Sequence, residues 1–367
     1  MGDSTPGTLV DRHGGPVAER STAVPGQRRP PGVGDRGPII EAYERRCAAL
    51  ANRRGAVAVS SSTAGFELCC RALGLAPDEE VLVPEVGWRS IAAAVRTVGA
   101  NPGVVPVRRD LVVEWPDVRA RLGPRTRAVV VAHVRGRAAG DVGRIAEGLA
   151  ERGVALIEDC SQAWGARGPE GPVGSCGVAA FFSTRTPGSA ATGEGGVVVA
   201  DDPALLDAVR HAAGYRASTA PRLDWLLNQR ISEASAARAL PRVLRLGVVV
   251  AELRVTQAAA AAVLATVPDA RVTADGAGAS NGATVGVWLP GVERSRVVAA
   301  RLGEAGFTVW QPVDHDPDGT GAWPVGPPAR GPVDVRRYLD IAVPRLDGAG
   351  RARFLGRLRE VCAGLAA

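Results

Sequence analysis

The sequence has no lysine: the 44 residues counted as Lys plus Arg among its 367 positions are all arginine. No side-chain primary amine is therefore available as a nucleophile or proton carrier. Aromatic residues make up only 4% of the chain, and its basic residues are interleaved with acids rather than gathered in blocks. That is poor material for base stacking, so no nucleic-acid partner is expected despite a net charge of +6. The six cysteines, at 47, 69, 70, 160, 176 and 362, show no CxxC spacing, and most lie in apolar runs. They read as free core thiols in a reducing compartment. No apolar run approaches the ~18 residues of a membrane span, and no basic segment followed by an apolar stretch opens the chain. A soluble, cytoplasmic protein with no membrane partner is the expectation.

With 46% hydrophobic residues, the chain can bury the cores of about two domains. Residues 1–36 are rich in Gly, Pro, Arg and Ser without periodicity and read as a flexible arm. PIIEAYERRCAAL (38–50) has helical spacing. Seven short β-type runs follow at 56–61, 80–84, 103–107, 128–134, 154–160, 178–183 and 195–201. The earlier ones are near-continuously apolar and alternate with helical patterns, which predicts an α/β fold with a mainly parallel seven-stranded sheet flanked by helices. Helix-rich sequence follows over 202–215 and 231–265. A smaller C-terminal α/β unit has strand candidates at 284–290, 307–313 and 337–344 and a last helix over 349–366. The expected division is an arm over 1–36, a large domain over 37–250 and a small domain over 251–367.

In an open parallel sheet, ligands bind at the carboxyl ends of the strands. Ser60-Ser61-Ser62-Thr63-Ala64 follows the first strand and opens a helix, where hydroxyls and free N–H groups suit a phosphate or simply cap the helix. Trp88 follows the second strand, placed either to stack on a planar ring or to pack in the core. Glu158-Asp159 ends the apolar fifth strand, where a carboxylate needs a partner such as a protonated ring nitrogen, or else caps a local turn. After the sixth strand a loop of small residues, 184–192, leads into Gly193-Glu194-Gly195-Gly196. Asp314-His315-Asp316 lies in a Gly/Pro-rich loop and reads as solvated rather than as a metal site.

The phrases GPIIEAYERRCAAL, AVAVSSSTA, EVLVPEVGW, VVVAHVRG, ALIEDCSQAWGA, VGSCGVAAFFS, TGEGGVVVADD and LNQRISEASAA occur in the order and spacing of the DegT/StrS sugar aminotransferase family. The chain resembles that family from about residue 37 to its end, most specifically over 56–201. The resemblance implies a pyridoxal-phosphate fold-type-I large domain, a small C-terminal domain, and a dimer with its active sites at the subunit interface. It assigns Ser62, Thr63 and Ser183 to the cofactor phosphate and Trp88 to stacking on the pyridine ring. It sets Asp159 against the pyridine nitrogen, Gln162 beside the ring hydroxyl, and Asn228 across the dimer at the neighbour's phosphate.

Family members carry a lysine five residues after the Ser183 position and six before the Glu194 position, and both counts land on Gly188. That lysine binds the cofactor covalently and moves the proton, so nucleophile and base are both missing. Arg185 and Ser189 are the polar candidates left in the loop; His13, His133, His211 and His315 fall outside it, and His133 reads as a loop anchor. Milder departures are Ser62 for a glycine and Gln229 for an aromatic. Three readings follow. The first is an atypical biosynthetic enzyme that binds pyridoxal or pyridoxamine phosphate non-covalently, or holds no cofactor and binds a keto-sugar, cyclitol or related metabolite directly. The second is a catalytically dead subunit, in a heterodimer rather than a homodimer, that completes the site of a lysine-bearing paralogue. The third is a small-molecule sensor.

Overall fold

The computed structural model describes residues 36–185, 190–215, 227–273, 279–312 and 333–366. The strands are β1 (Gly55–Val59), β2 (Glu80–Pro84), β3 (Asn101–Val105), β4 (Thr126–Ala132), β5 (Ala155–Asp159), the two-residue hairpin β6 (Arg167–Gly168) and β7 (Gly171–Pro172), β8 (Ala179–Ser183), β9 (Gly196–Ala200), β10 (Arg271–Val272), β11 (Thr284–Trp288), β12 (Val309–Trp310) and β13 (Tyr338–Ala342). The helices are α1 (Pro38–Leu50), α2 (Ser62–Ala72), α3 (Arg89–Thr97), α4 (Trp115–Arg121), α5 (Val142–Ala150), α6 (Pro203–Ala212), α7 (Glu233–Leu244), α8 (Leu246–Leu264), α9 (Val292–Glu304) and α10 (Gly348–Ala366).

The seven expected strands form one sheet in the order β1-β9-β8-β5-β4-β2-β3, parallel except for β9. Along β4, Ala128 and Val130 point into one core while Val129 and Val131 point into the other. This is the two-residue period of a strand buried on both faces, and it explains why the run is apolar throughout. The sequence placed the third strand two residues late. It starts at Asn101, opposite Glu80, and ends at Val105, because Pro106 has no N–H for the ladder.

Because β9 is the only antiparallel strand of this sheet, the carboxyl ends of β1, β2, β4, β5 and β8 share one edge, joined there by Gly196 at the start of β9. The second sheet has the order β10-β11-β13-β12, in which β10 was not expected from sequence. All six cysteines are free thiols, and five of them are buried. The expectation that no segment matches a membrane span needs correcting. α8, with 19 residues, is long and apolar enough by length and composition, although Glu252 and Arg254 interrupt the run and one side of the helix packs against α10 and β11.

Candidate functional site

β1 delivers Ser60–Thr63 to the common edge. Ser61 is the helix cap, its hydroxyl accepting the Ala64 N–H at 3.1 Å. Capping therefore falls to Ser61, which leaves Ser62 and Thr63 in the first helical turn, where N–H groups lack intrahelical partners. Thr63 Oγ1 donates to Ser90 Oγ at 3.0 Å, which ties the start of α2 to that of α3. The backbone here is closely packed: a Cβ on Gly196 would come within 2.5–2.7 Å of the Ser61 carbonyl and the Ser62 nitrogen. Gly196→Ala is accordingly expected to displace the first turn of α2 and destabilise the chain by about 1–3 kcal/mol, measurable by denaturant titration.

Trp88 precedes α3 and is 43% exposed. It lines a narrow crevice with Pro84, Ile91, Val130, Ala132 and Asp159. The enclosed part holds only about 10 Å³, so a planar ring would lie across its mouth rather than inside it. Asp159 closes β5, and its carboxylate accepts the Ser161 N–H at 2.9 Å. Burial pushes its pKa up, against the opposing pull of Ser161 and His133. Among the described residues no ion pair reaches Asp159. It is a buried acid in need of a cationic neighbour.

The adjacent Glu158 contrasts with it. It accepts from His133 Nε2 at 2.9 Å, Gly174 N at 2.9 Å, and Cys176 N and Gly177 N at 2.7 Å each. Burial alone would raise its pKa, yet these donors hold it below the usual carboxylate range. His133 Nδ1 accepts the Ala139 N–H at 3.0 Å, which fixes the ring proton on Nε2. His133 is thus a loop anchor. His133, Glu158 and Cys160 come close enough together to resemble a metal site, a grouping the sequence did not reveal. Their hydrogen bonds already occupy the carboxylate and both ring nitrogens, and burial raises the Cys160 thiol, so the cluster reads as structural.

Gln162 is oriented from below. Its Oε1 accepts the Arg135 N–H at 2.9 Å, and its carbonyl accepts from Asn281 Nδ2 at 3.0 Å, while its side-chain NH₂ makes no hydrogen bond among the described residues. Arg135 takes a left-handed backbone (φ 56°, ψ 36°), and its guanidinium forms a forked pair with the fully buried Asp340 of β13, the shortest contact being 2.6 Å. Thr284 Oγ1 donates to the Arg135 carbonyl at 2.7 Å. Gly136, at φ +84°, lies so close to Asn281 that any Cβ would overlap its side chain. The second sheet therefore braces the loop that holds Gln162, through contacts roughly 120–205 residues apart that no local pattern signals.

β8 supplies Ser183, whose carbonyl accepts from Trp164 Nε1 at 2.6 Å and whose hydroxyl accepts the Arg185 N–H at 3.1 Å. The hydroxyls of Thr184 and Thr192 are buried with no hydrogen-bond partner among the described residues. Arg185 is exposed and lies 3.5 Å from Glu194, a screened surface pair. Gly188 and Ser189 lie outside the described residues, as do His13, His315 and the 1–35 segment of the proposed arm. Asn228 is exposed. The segment carrying it is fastened to the same edge, with Ser60 Oγ donating to Gln229 Oε1 at 2.5 Å and Ser60 N to the Gln229 carbonyl at 2.8 Å.

One edge of the sheet thus brings together Ser62, Thr63, Trp88, Asp159, Gln162 and Ser183. An aromatic surface, a buried acid lacking a cation, orphaned hydroxyls and free helix N–H groups fit a flat heterocycle bearing a phosphate. The donor set contains no amine.

Among solved structures, the aminotransferase TlmJ of Streptoalloteichus hindustanus has TM-score 0.78 at 24% identity, covering 91% of this chain and 93% of that one. DesV of S. venezuelae, solved in complex with a ketimine intermediate, has TM-score 0.77 at 26% identity over 89% of this chain and 90% of that one. DesI, solved in the presence of its TDP-sugar product, has TM-score 0.76 at 25% identity over 90% and 86%. The profile of the DegT/DnrJ/EryC1/StrS aminotransferase family matches residues 29–288, most of the chain. With its fold-type-I sheet, the chain belongs to that pyridoxal-phosphate-dependent aminotransferase family.

Proposed function

We propose that this chain is an atypical biosynthetic enzyme of amino-sugar or secondary metabolism whose pocket binds pyridoxal or pyridoxamine phosphate without a covalent link. The observation that carries this reading is Asp159, an uncompensated buried acid kept beside Trp88 in a chain with no lysine. Trp88 would lie against the ring, and Asp159 would hold its nitrogen protonated. The Gln162 NH₂ would donate to the ring oxygen, and Ser62, Thr63 and Ser183 would hold the phosphate. When bound, the cofactor supplies an electron sink for carbanion chemistry. The substrate class is a keto-sugar, cyclitol or related metabolite, in keeping with the TDP-sugar product in whose presence DesI was solved. Residues 37–250 would form the large domain and 251–367 the small one, in a dimer.

A second reading is favoured by one observation, the exposed Asn228. A chain silent at its own site could still offer this amide to the phosphate of a lysine-bearing partner. Co-expression with such a paralogue, followed by isolation of a mixed dimer in which Asn228→Ala lowers the partner's turnover, would favour it over the first.

The deciding experiment adds pyridoxal phosphate and pyridoxamine phosphate separately to the purified chain and follows absorbance and melting temperature. Saturation at about 100 times Kd is expected to stabilise the chain by about 2.7 kcal/mol. No bond trappable by borohydride should form. If neither compound raises the melting temperature, the cofactor reading is lost.

Asp159→Asn sharpens the test. The folded-state pKa of Asp159 lies above its unfolded value, so the stability linked to its protonated form is present at low pH and lost as pH rises through the folded pKa. At neutral pH the isosteric amide removes a buried charge. The unliganded variant is expected to melt about 2–4 °C higher than wild type, while its ligand-induced rise disappears.

A further inference from the structure

α8 is apolar on both sides. Leu246, Val250, Leu253, Ala260, Val263 and Leu264 are buried. The outward positions recur at alternating spacings of three and four, from Val248 through Ala251, Val255, Ala258 and Ala262 to Ala265 just past its end, and every one is exposed. Val248 and Val255 are each 57% exposed, two of the seven exposed large hydrophobic residues among those described. A helix stripe facing water is ordinarily polar, whereas a helix apolar all round is covered. The four-three spacing is that of a coiled-coil seam.

We propose that this stripe docks against the same stripe of a second copy of the chain, with the two α8 helices antiparallel across a two-fold axis. Side-chain size carries the choice. Both valines lie in the N-terminal half of the stripe, and its C-terminal half is alanine throughout. Antiparallel pairing sets Val248 opposite Ala265, Ala251 opposite Ala262, and Val255 opposite Ala258 of the second copy, so each valine meets an alanine and the spacing stays even. Parallel pairing would stack valine on valine at one end and alanine on alanine at the other, which two straight helices cannot both accommodate at close packing.

Charge agrees with that register. Glu252 and Arg254 flank the stripe, and the antiparallel arrangement sets them opposite Ala261 and Ala259 of the second copy respectively, so no like charges meet. Their bonds within the chain, Glu252 to Arg345 and Arg254 to the Ser280 carbonyl, each 2.6 Å, are left intact. One self-complementary surface on both protomers is what a two-fold axis requires. A paired length of about 27 Å is small for a stable interface, so the association depends on concentration. This face is independent of the pocket.

The test is sedimentation velocity of the full chain over a micromolar concentration series. Whatever assembly other faces support, the wild-type mass is expected to double as concentration rises. Val255→Glu and Ala258→Arg, both at exposed positions, should each abolish that doubling without lowering the melting temperature. Mixing the two variants should restore it, because the antiparallel register brings the carboxylate introduced in one against the guanidinium introduced in the other. A wild-type mass that does not double, or a mixture that fails to recover, overturns the proposal. So does co-sedimentation with phosphatidylglycerol vesicles that Val255→Glu abolishes while the mass is unchanged, since a lipid surface would then be the occupant.

Discussion

Gly188→Lys is expected to convert reversible binding of pyridoxal phosphate into covalent retention. The two counts that locate position 188, forward from Ser183 and back from Glu194, agree, and the rest of the donor set is gathered at one edge. On the proposed reading, an amine at position 188 would stand beside a cofactor held by Trp88 and Asp159, so covalent attachment would be an intramolecular event. Well-oriented intramolecular reactions reach effective concentrations of about 10⁵ M, so loss of cofactor on gel filtration should slow by at least about 100-fold. Because the natural chain has no lysine, position 188 then carries the only side-chain amine, and peptide mapping after borohydride reduction must place one added cofactor mass there rather than on the α-amino group. The variant also gains a proton carrier, so a half-reaction with an amino donor is expected to be faster than in the wild type. The double variant with Asp159→Asn should retain far less cofactor. If Gly188→Lys holds no reducible adduct although the wild type binds pyridoxal phosphate, the pocket binds the cofactor in an orientation unlike the family's.

Much of this site was legible in the sequence because it lies where a parallel sheet must expose its loops. Seven apolar runs separated by helical patterns dictate a sheet covered on both faces, and its carboxyl edge collects whatever follows each strand. Ser62, Trp88, Asp159 and Ser183 each sit within about four residues of a strand end, so locating the strands located them. Gln162 shows the limit. Its position was readable, but its brace was not: Arg135 follows β4, Asn281 and Thr284 lie just before and at the start of β11, and Asp340 is on β13, and sequence spacing carries no trace of that contact. The His133–Glu158 bond was hidden for the same reason, with 25 residues between its partners. Strand edges shifted by two residues where Pro106 ended a ladder that hydrophobicity alone would have continued. β10 escaped notice because two residues are too short to show a period.

The brace on Gln162 leads to the second large effect. Asp340 is fully buried on β13, between Gly286 of β11 and Trp310 of β12, and its carboxylate takes both the Nε and NH2 groups of Arg135. The guanidinium also lies 5.0 Å above the Trp310 ring. Asp340→Ala strands that cation in a site with little water and is expected to destabilise the chain by about 3–5 kcal/mol, read from denaturant titration. Removing both partners should hurt less than the sum of the two single changes, because Arg135→Ala/Asp340→Ala no longer strands the Arg135 cation, although the buried Arg137 still loses the nearby Asp340 charge. The effect should reach the pocket. Arg135 holds Gln162 through its backbone N–H, and its left-handed turn persists only while its surroundings over-determine it. In Asp340→Ala the ligand-induced melting rise should therefore shrink even at temperatures where the variant remains folded. In Arg135→Lys, which keeps the charge but loses the fork, the shrinkage should be intermediate. A variant Asp340→Ala that loses less than about 1 kcal/mol and binds cofactor as the wild type does would show that the second sheet does not position the site.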